Sequence, residues 1–297
     1  MDLISVDDLS DPLLEELLRR AGHWATHEPD AATRHLTGRQ VVTAFFEHST
    51  RTLMSFEIAA RRLGGSVTRL PVEMSSVAKG ETLRDTALTL DAMAPDAFVI
   101  RHPEPGAARE VAGWMATPVI NAGDGAGEHP SQGLLDVATI RRHVGHIEGL
   151  VVAICGDIRH SRVANSTAKL LTRLGAEVRL AGPARLMPEG HDGPDGIDEA
   201  IGGADVVMML RVQRERLSED LGDAPGEYLA RYGLTGERLS LAKPDAKVMH
   251  PGPMNRGVEI EDAVADGERS LIRAQVAMGV ATRMAILEMV TGEARAR

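Results

Sequence analysis

The sequence predicts an α/β protein with parallel sheets, and three observations carry that prediction. Its 297 residues exceed one typical domain and come near two of about 150 residues each. Short apolar runs recur along the chain, mostly continuous rather than alternating, as in strands buried on both faces of a parallel sheet. Helical periodicity fills the stretches between them, and this alternation marks the class.

The elements follow in order. Asp11 is placed to cap a first helix and Pro12 suits its first turn, with Leu13, Leu14, Leu17 and Leu18 forming an apolar stripe. Strand-like runs then fall at 41–46, 96–100, 118–121, 150–155, 177–181, 205–210 and 247–249. Helical patterns lie near 51–63, 82–94, 107–115, 131–143, 162–174 and 226–232, and a long last helix spans 270–289 with Ile272, Val276, Val280 and Met284 among its apolar positions. Two irregular polar stretches, 188–196 and 218–226, read as loops; a loop after a strand either covers a site or is a solvated connection.

Composition narrows the function. Hydrophobic residues are 43% and charged residues 26%, an ordinary globular balance. Acidic residues outnumber basic ones, 43 to 33, for a net charge of −10, which disfavours general nucleic-acid binding. Aromatics are only 3%, too few for a base-stacking platform. The single cysteine, Cys155, excludes an intrachain disulfide and a cysteine zinc cluster. The N-terminus lacks the basic start of a signal peptide, and no apolar run reaches membrane-spanning length. A cytoplasmic protein is expected.

The sharpest chemistry lies in FFEHSTRT (45–52), followed by Ser55-Phe56-Glu57. A strand runs into hydroxyls and an arginine at a helix start. Helix N-termini favour anions through free N–H groups and the dipole. Ser49, Thr50 and Thr52 add donors, and Arg51 adds a fork for phosphate; the alternative is plain helix capping by Ser49 or Thr50. In SSVAKGET (75–82), Lys79 beside a glycine can swing onto an anion or remain a solvated surface lysine. Three His-Pro pairs, at 102, 129 and 250, follow strands. Ligands of open α/β sheets collect at the carboxyl ends of strands, so Arg101, His129, Gln132 and the turn at 47–52 can converge on one cleft. The histidines lack metal-binding spacings. GDIRHSR (156–162) is no dinucleotide fingerprint, because only Gly156 is present. Arg162 and Arg211 can clamp carboxylates, with Gln213 as a neutral donor, or be ordinary surface arginines on turns.

Together these segments resemble the aspartate/ornithine carbamoyltransferase family, and within it the aspartate carbamoyltransferase catalytic chains. FFEHSTRT and SFE resemble the carbamoyl-phosphate signature of that family. SSVAKGET resembles a loop that enters the neighbouring subunit's active site in the aspartate branch. RHPEPGAAR, NAGDGAGEHPSQGLLD, GDIRHSRVANS, RVQRERL and HPGPMNRGVEI follow in family order, so the likeness runs from about Leu3 to Leu287. The ornithine branch carries a His-Cys-Leu-Pro segment where this chain has His250-Pro251-Gly252-Pro253, and Cys155 lies far from it. Two departures stand out: Leu53 where the family has arginine after STRT, and Ala78 where a hydroxyl residue is frequent.

The resemblance implies two α/β domains, each with a parallel sheet flanked by helices, linked by two interdomain helices. A carbamoyl-phosphate domain would span 1–134, completed by a C-terminal helix at 271–297, and an aspartate domain 135–270. The implied reaction joins carbamoyl phosphate and L-aspartate into N-carbamoyl-L-aspartate and phosphate, the committed chemistry of pyrimidine synthesis, without metal, organic cofactor or covalent intermediate. Ser49, Thr50, Arg51, Thr52, Arg101 and, from a neighbouring subunit, Ser75 and Lys79 would hold the phosphate. Thr52, Arg101 and His129 would polarise the carbamoyl oxygen, and Gln132 would receive the carbamoyl amide. Arg162, Arg211, Gln213 and Lys79 would hold aspartate beside Gly252 and Pro253, with a cis bond before Pro253. Glu47 would orient Arg162 or Arg216. The implied assembly is a homotrimer with shared sites, compatible with further regulatory or dihydroorotase-like chains, without nucleic-acid or membrane partners.

Overall fold

The computed structural model describes residues 1–30, 32–194, 196–212 and 226–292. In chain order the elements are α1 (Asp11–Trp24), β1 (Gln40–Phe45), α2 (Arg51–Arg62), β2 (Ser66–Leu70), α3 (Leu83–Ala92), β3 (Ala97–His102), α4 (Ala107–Trp114), β4 (Val119–Asp124), α5 (Pro130–Val144), β5 (Val151–Cys155), α6 (Arg162–Arg173), β6 (Glu177–Ala181), α7 (Ile197–Ile201), β7 (Val206–Met209), α8 (Glu227–Tyr232), α9 (Gly236–Leu239), β8 (Lys247–Met249), α10 (Asp262–Ala265) and α11 (Ile272–Gly292). They divide into two compact units: Met1–Ala138 with the stretch from Val276 onward, and Thr139–Gln275. The chain passes from one unit to the other within α5 and again within α11.

Each unit holds a four-stranded sheet, ordered β2-β1-β3-β4 in the first and β6-β5-β7-β8 in the second. All pairings within them are parallel. The first core joins Val42, Ala44, Phe98, Ile100 and Val119 of the sheet to Ala108 and Val111 of α4. The second joins Ala153, Cys155, Val207, Met209 and Val248 to Ile197, Ala200 and Ile201 of α7. Full burial of a side chain as large as Phe98 or Ile154 contributes about 1.5–3 kcal/mol.

Four features differ from the sequence reading. β2 was not expected: it is an edge strand, and its sequence SVTRL has no buried position, so it lacks an apolar run. Asp11 is the first residue of α1 rather than its cap; Ser10 occupies the cap without a side-chain bond, and Pro12 does sit in the first turn. The helices α7, α9 and α10 have five, four and four residues, too short to show a helical period. In α11, Ile272 and Met284 are buried as the stripe requires, whereas Val276 is exposed.

Candidate active site

Each sheet reverses its strand order at a central strand. In the first unit the chain moves from β1 outward to β2, then crosses back to β3 on the other side. The second unit repeats this with β5, β6 and β7. Such reversals open a crevice at the carboxyl ends of the two strands. The ends in question are those of β1 and β3, and of β5 and β7, where the sequence motifs lie.

At the first switch point, Phe46 N–H donates to Arg101 O at 2.8 Å, holding the two strand ends together. The next turn leads into α2. Thr50 sits at its N-cap with helical backbone angles, φ −78° and ψ −54°, and makes no side-chain capping bond. The capping alternative is therefore not realised at Thr50, and the first turn of α2 keeps its affinity for an anion. One position into α2, the buried Thr52 Oγ1 lies 3.3 Å from His129 Nε2. His129 immediately precedes α5, and its Nδ1 lies 3.5 Å from Ser131 Oγ. Gln132 donates to Asp136 Oδ1 at 2.9 Å, which fixes its amide. Arg101 donates through Nε to Glu47 Oε2 at 3.1 Å. Glu47 thus has a partner in its own unit; Arg216, one of its expected partners, lies outside the described residues.

The segment before His129 is shaped by buried Asp124. Its carboxylate accepts from Gly106 N–H at 2.7 Å, Glu128 N–H at 2.8 Å and the Asn121 amide at 3.1 Å. Gly125 has φ +50°, and a Cβ there would lie 2.4 Å from Pro103 O, so this close approach between the loops after β3 and β4 requires glycine. The rest of the SFE segment is structural. Ser55 bonds back to Arg51 O at 2.6 Å, Phe56 is core, and Glu57 pairs with Arg69 of β2 at 2.6 Å.

Ser75 and Lys79 lie on a separate loop after β2. The Ser75 hydroxyl donates to Val72 O at 2.7 Å and caps a short 3-10 turn, Ser76–Lys79. Lys79 is exposed and has no ion pair among the described residues.

At the second switch point, Gly156 follows β5 with φ +134°, and a Cβ would meet Leu210 O at 3.0 Å. Arg162 is the first residue of α6, whose N-cap Ser161 accepts from Ala164 N–H at 3.0 Å. Arg211 is exposed two residues past β7. The adjacent Val212 O accepts from the Asn255 amide at 2.9 Å, which ties this strand end to the HPGPMN segment. There the Gly252–Pro253 bond is cis. Gly252 N–H donates to His250 Nδ1 at 2.8 Å, so the other ring nitrogen carries the proton and donates to Glu259 Oε1 at 3.2 Å. Asn255 N–H donates to the same oxygen. Gln213 lies outside the described residues.

The three His-Pro histidines separate by environment. His250 is a buried brace. His102 packs against Phe46 with ring centroids 5.1 Å apart and accepts from Glu104 N–H at 3.1 Å, and burial lowers its pKa. Only His129 touches another motif hydroxyl. Cys155 is fully buried in β5, and burial pushes its thiol up to about 12, so it is no nucleophile at neutral pH. Sequence reasoning missed Ser131, Asp136 and Arg283, which surround His129 and Gln132. The signal for Arg283 was available: it is a lone arginine in the apolar run 278–290.

Known proteins resemble this chain over nearly its whole length. The model of the aspartate/ornithine carbamoyltransferase carbamoyl-P binding domain matches residues 1–142, and that of the Asp/Orn binding domain matches 148–290. The chain is 53% identical over 299 residues to the aspartate carbamoyltransferase catalytic subunit of Rhodospirillum rubrum, covering 98% of this chain and 93% of that one. It resembles the structure of aspartate transcarbamoylase from Trypanosoma cruzi in complex with carbamoyl phosphate and aspartate, with a TM-score of 0.86, 34% identity and coverage of 98% and 94%. The ornithine carbamoyltransferase of Pyrococcus furiosus superposes with a TM-score of 0.85, at 27% identity and coverage of 99% and 98%. With both domains matched in order and near-complete overlap with such relatives, the chain belongs to the aspartate/ornithine carbamoyltransferase family.

Proposed function

We propose that this chain transfers the carbamoyl group of carbamoyl phosphate to the amine of L-aspartate, releasing N-carbamoyl-L-aspartate and phosphate in de novo pyrimidine synthesis. The observation that carries the reading is the buried Thr52–His129 pair at the first switch point, where Thr52 lies in the first turn of α2. Ser49, Thr50, Arg51, Thr52 and Arg101 hold the phosphate. His129, Thr52 and Arg101 polarise the carbamoyl oxygen, and Gln132 receives the carbamoyl amide.

The amine attacks the carbamoyl carbon, the carbon becomes tetrahedral, and negative charge gathers on its oxygen. Fixed donors stabilise that charge more than they stabilise the ground state. The C–O bond to phosphate then breaks, and the amine's proton passes to the departing phosphate or to a side-chain base. Holding both reactants removes the entropy cost of their meeting. Arg162, Arg211, Gln213 and Lys79 hold the aspartate carboxylates, beside Gly252 and Pro253.

Aspartate is favoured over ornithine by the two arginines of the second unit, which repel a cationic side chain, and by the burial of the only cysteine. We also read the active unit as a cytoplasmic homotrimer in which Ser75 and Lys79 serve the neighbouring subunit. Carbamoyl product should be measured colorimetrically with aspartate and ornithine in parallel. Product with aspartate alone is expected; product with ornithine alone, or with neither, would overturn the reading.

A further inference from the structure

Arg283 is an unusual arginine. It lies in α11 at 3% exposure and its Nε has no hydrogen-bond partner among the described residues. Its guanidinium lies 5.1 Å from the centroid of Phe56, one helical turn beyond Thr52 on α2. Nη1 donates to Gly279 O at 3.1 Å, and Nη2 donates to Ser131 Oγ at 3.4 Å. Burial brings its pKa down to about 9; Asp136 opposes that shift and Arg101 adds to it. Burying a charge with so few partners is costly.

The hydrogen-bond directions make a chain. A guanidinium only donates. Ser131 Oγ therefore accepts from Arg283, and its own hydrogen is free to turn to His129 Nδ1, 3.5 Å away. An imidazole that accepts at Nδ1 carries its proton on Nε2. That nitrogen faces Thr52 Oγ1 at 3.3 Å.

We propose that Arg283 is a positioning residue for His129: acting through Ser131, it fixes the Nε2–H tautomer, the form that donates to a substrate oxygen. The importance of that donor rests on the reading of His129 as a donor to the carbamoyl oxygen. Gly279 belongs to the same device. A Cβ at 279 would lie 2.7 Å from Arg283 Nη1, so only glycine leaves the guanidinium in place.

The test reads the ring nitrogens of His129 by 15N NMR on substrate-free, histidine-labelled protein, together with kcat and KM. Wild type should show Nε2–H. Ser131→Ala and Arg283→Met should lose the single tautomer and lose about 10–100-fold in kcat, by analogy with removing a group that orients a metal-bound histidine, with the aspartate KM little changed. Ser131→Thr should retain the tautomer. If Arg283→Met fails to fold, Gly279→Ala displaces the guanidinium while favouring the helix, and should shift the tautomer too. Nδ1–H in wild type, or unchanged Nε2–H in both Ser131→Ala and Gly279→Ala, would overturn the proposal. Absence of carbamoyl transfer in wild type would instead defeat the functional reading, and the spectra would still decide the tautomer.

Discussion

Replacing Arg101 by methionine should separate substrate binding from stability. Methionine keeps most of the aliphatic stem and removes the guanidinium. The Arg101 side chain is 14% exposed and its Nε lies 3.1 Å from Glu47 Oε2, so the charge is held in place at the carboxyl end of β3. A hydrogen bond to a charged group in such a setting contributes about 1.5–3 kcal/mol. Losing it should weaken carbamoyl-phosphate binding about 10- to 150-fold, at 1.4 kcal/mol per factor of ten. The stability cost should be smaller. Glu47 is a third exposed, so its lost partner costs no more than about 1 kcal/mol. Arg283 gains in return, because Arg101 is a like charge acting against its protonation. Calorimetric titration with carbamoyl phosphate measures the first effect and thermal unfolding the second. Arg101→Lys should recover part of the affinity, since it restores the charge but not the fork. Unchanged carbamoyl-phosphate affinity in a folded Arg101→Met protein would refute the assignment.

Four further outcomes are expected. Glu288 accepts from the Trp24 indole at 2.8 Å and lies 2.6 Å from His35 Nδ1, with its side chain 3% exposed and that of His35 50% exposed; Glu288→Ala leaves the buried indole N–H unsatisfied and should cost about 1–3 kcal/mol in urea unfolding, and a cost under about 0.5 kcal/mol, as at an ordinary surface site, would show that this tether of α1 to α11 is dispensable. Ser161→Ala should cost about 1 kcal/mol because Ser161 caps α6, whereas Thr50→Ala should leave stability nearly unchanged and weaken carbamoyl-phosphate binding; equal stability losses would contradict the contrast. Hydrogen bonds from Arg19 and Arg20 hold Glu16 down to about 2, so its contribution is present above the usual 4.5 and lost as pH falls toward 2. Glu16→Gln should therefore cost at most about 1 kcal/mol at pH 7, screened by solvent, and nothing near pH 2, in paired denaturation curves. Finally, inactive Arg51→Ala and Lys79→Ala proteins, mixed after dissociation and reassembly, should regain activity; mixed oligomers without activity would place each site within one chain.

The sequence showed most of what is apolar or punctuated and little of what is polar and buried. Strand ends at 155, 181 and 249 were read from short, mostly apolar runs and match β5, β6 and β8. β2 was missed because an edge strand needs no apolar run. The Thr52–His129 pair joins residues 77 positions apart, which periodicity cannot reveal; only the gathering of both segments at the carboxyl ends of strands suggested it. Arg283 illustrates the opposite case. Its burial was legible as a charge in an apolar helix, but its partners were not, because Ser131 comes from α5, 152 positions earlier.

The same strand order serves two different chemistries because the two units treat a helix start differently. After β5, Ser161 satisfies a backbone donor of α6 with its own hydroxyl, so recognition there falls to arginine side chains, which suit the separated carboxylates of a small dicarboxylate. After β1, Thr50 enters the helix without capping it, and a helix start of that kind suits a compact anion with several oxygens. A phosphate matches the second arrangement and an amino acid the first. That difference, rather than the shared topology, is what the proposed placing of carbamoyl phosphate in the first unit and aspartate in the second rests on.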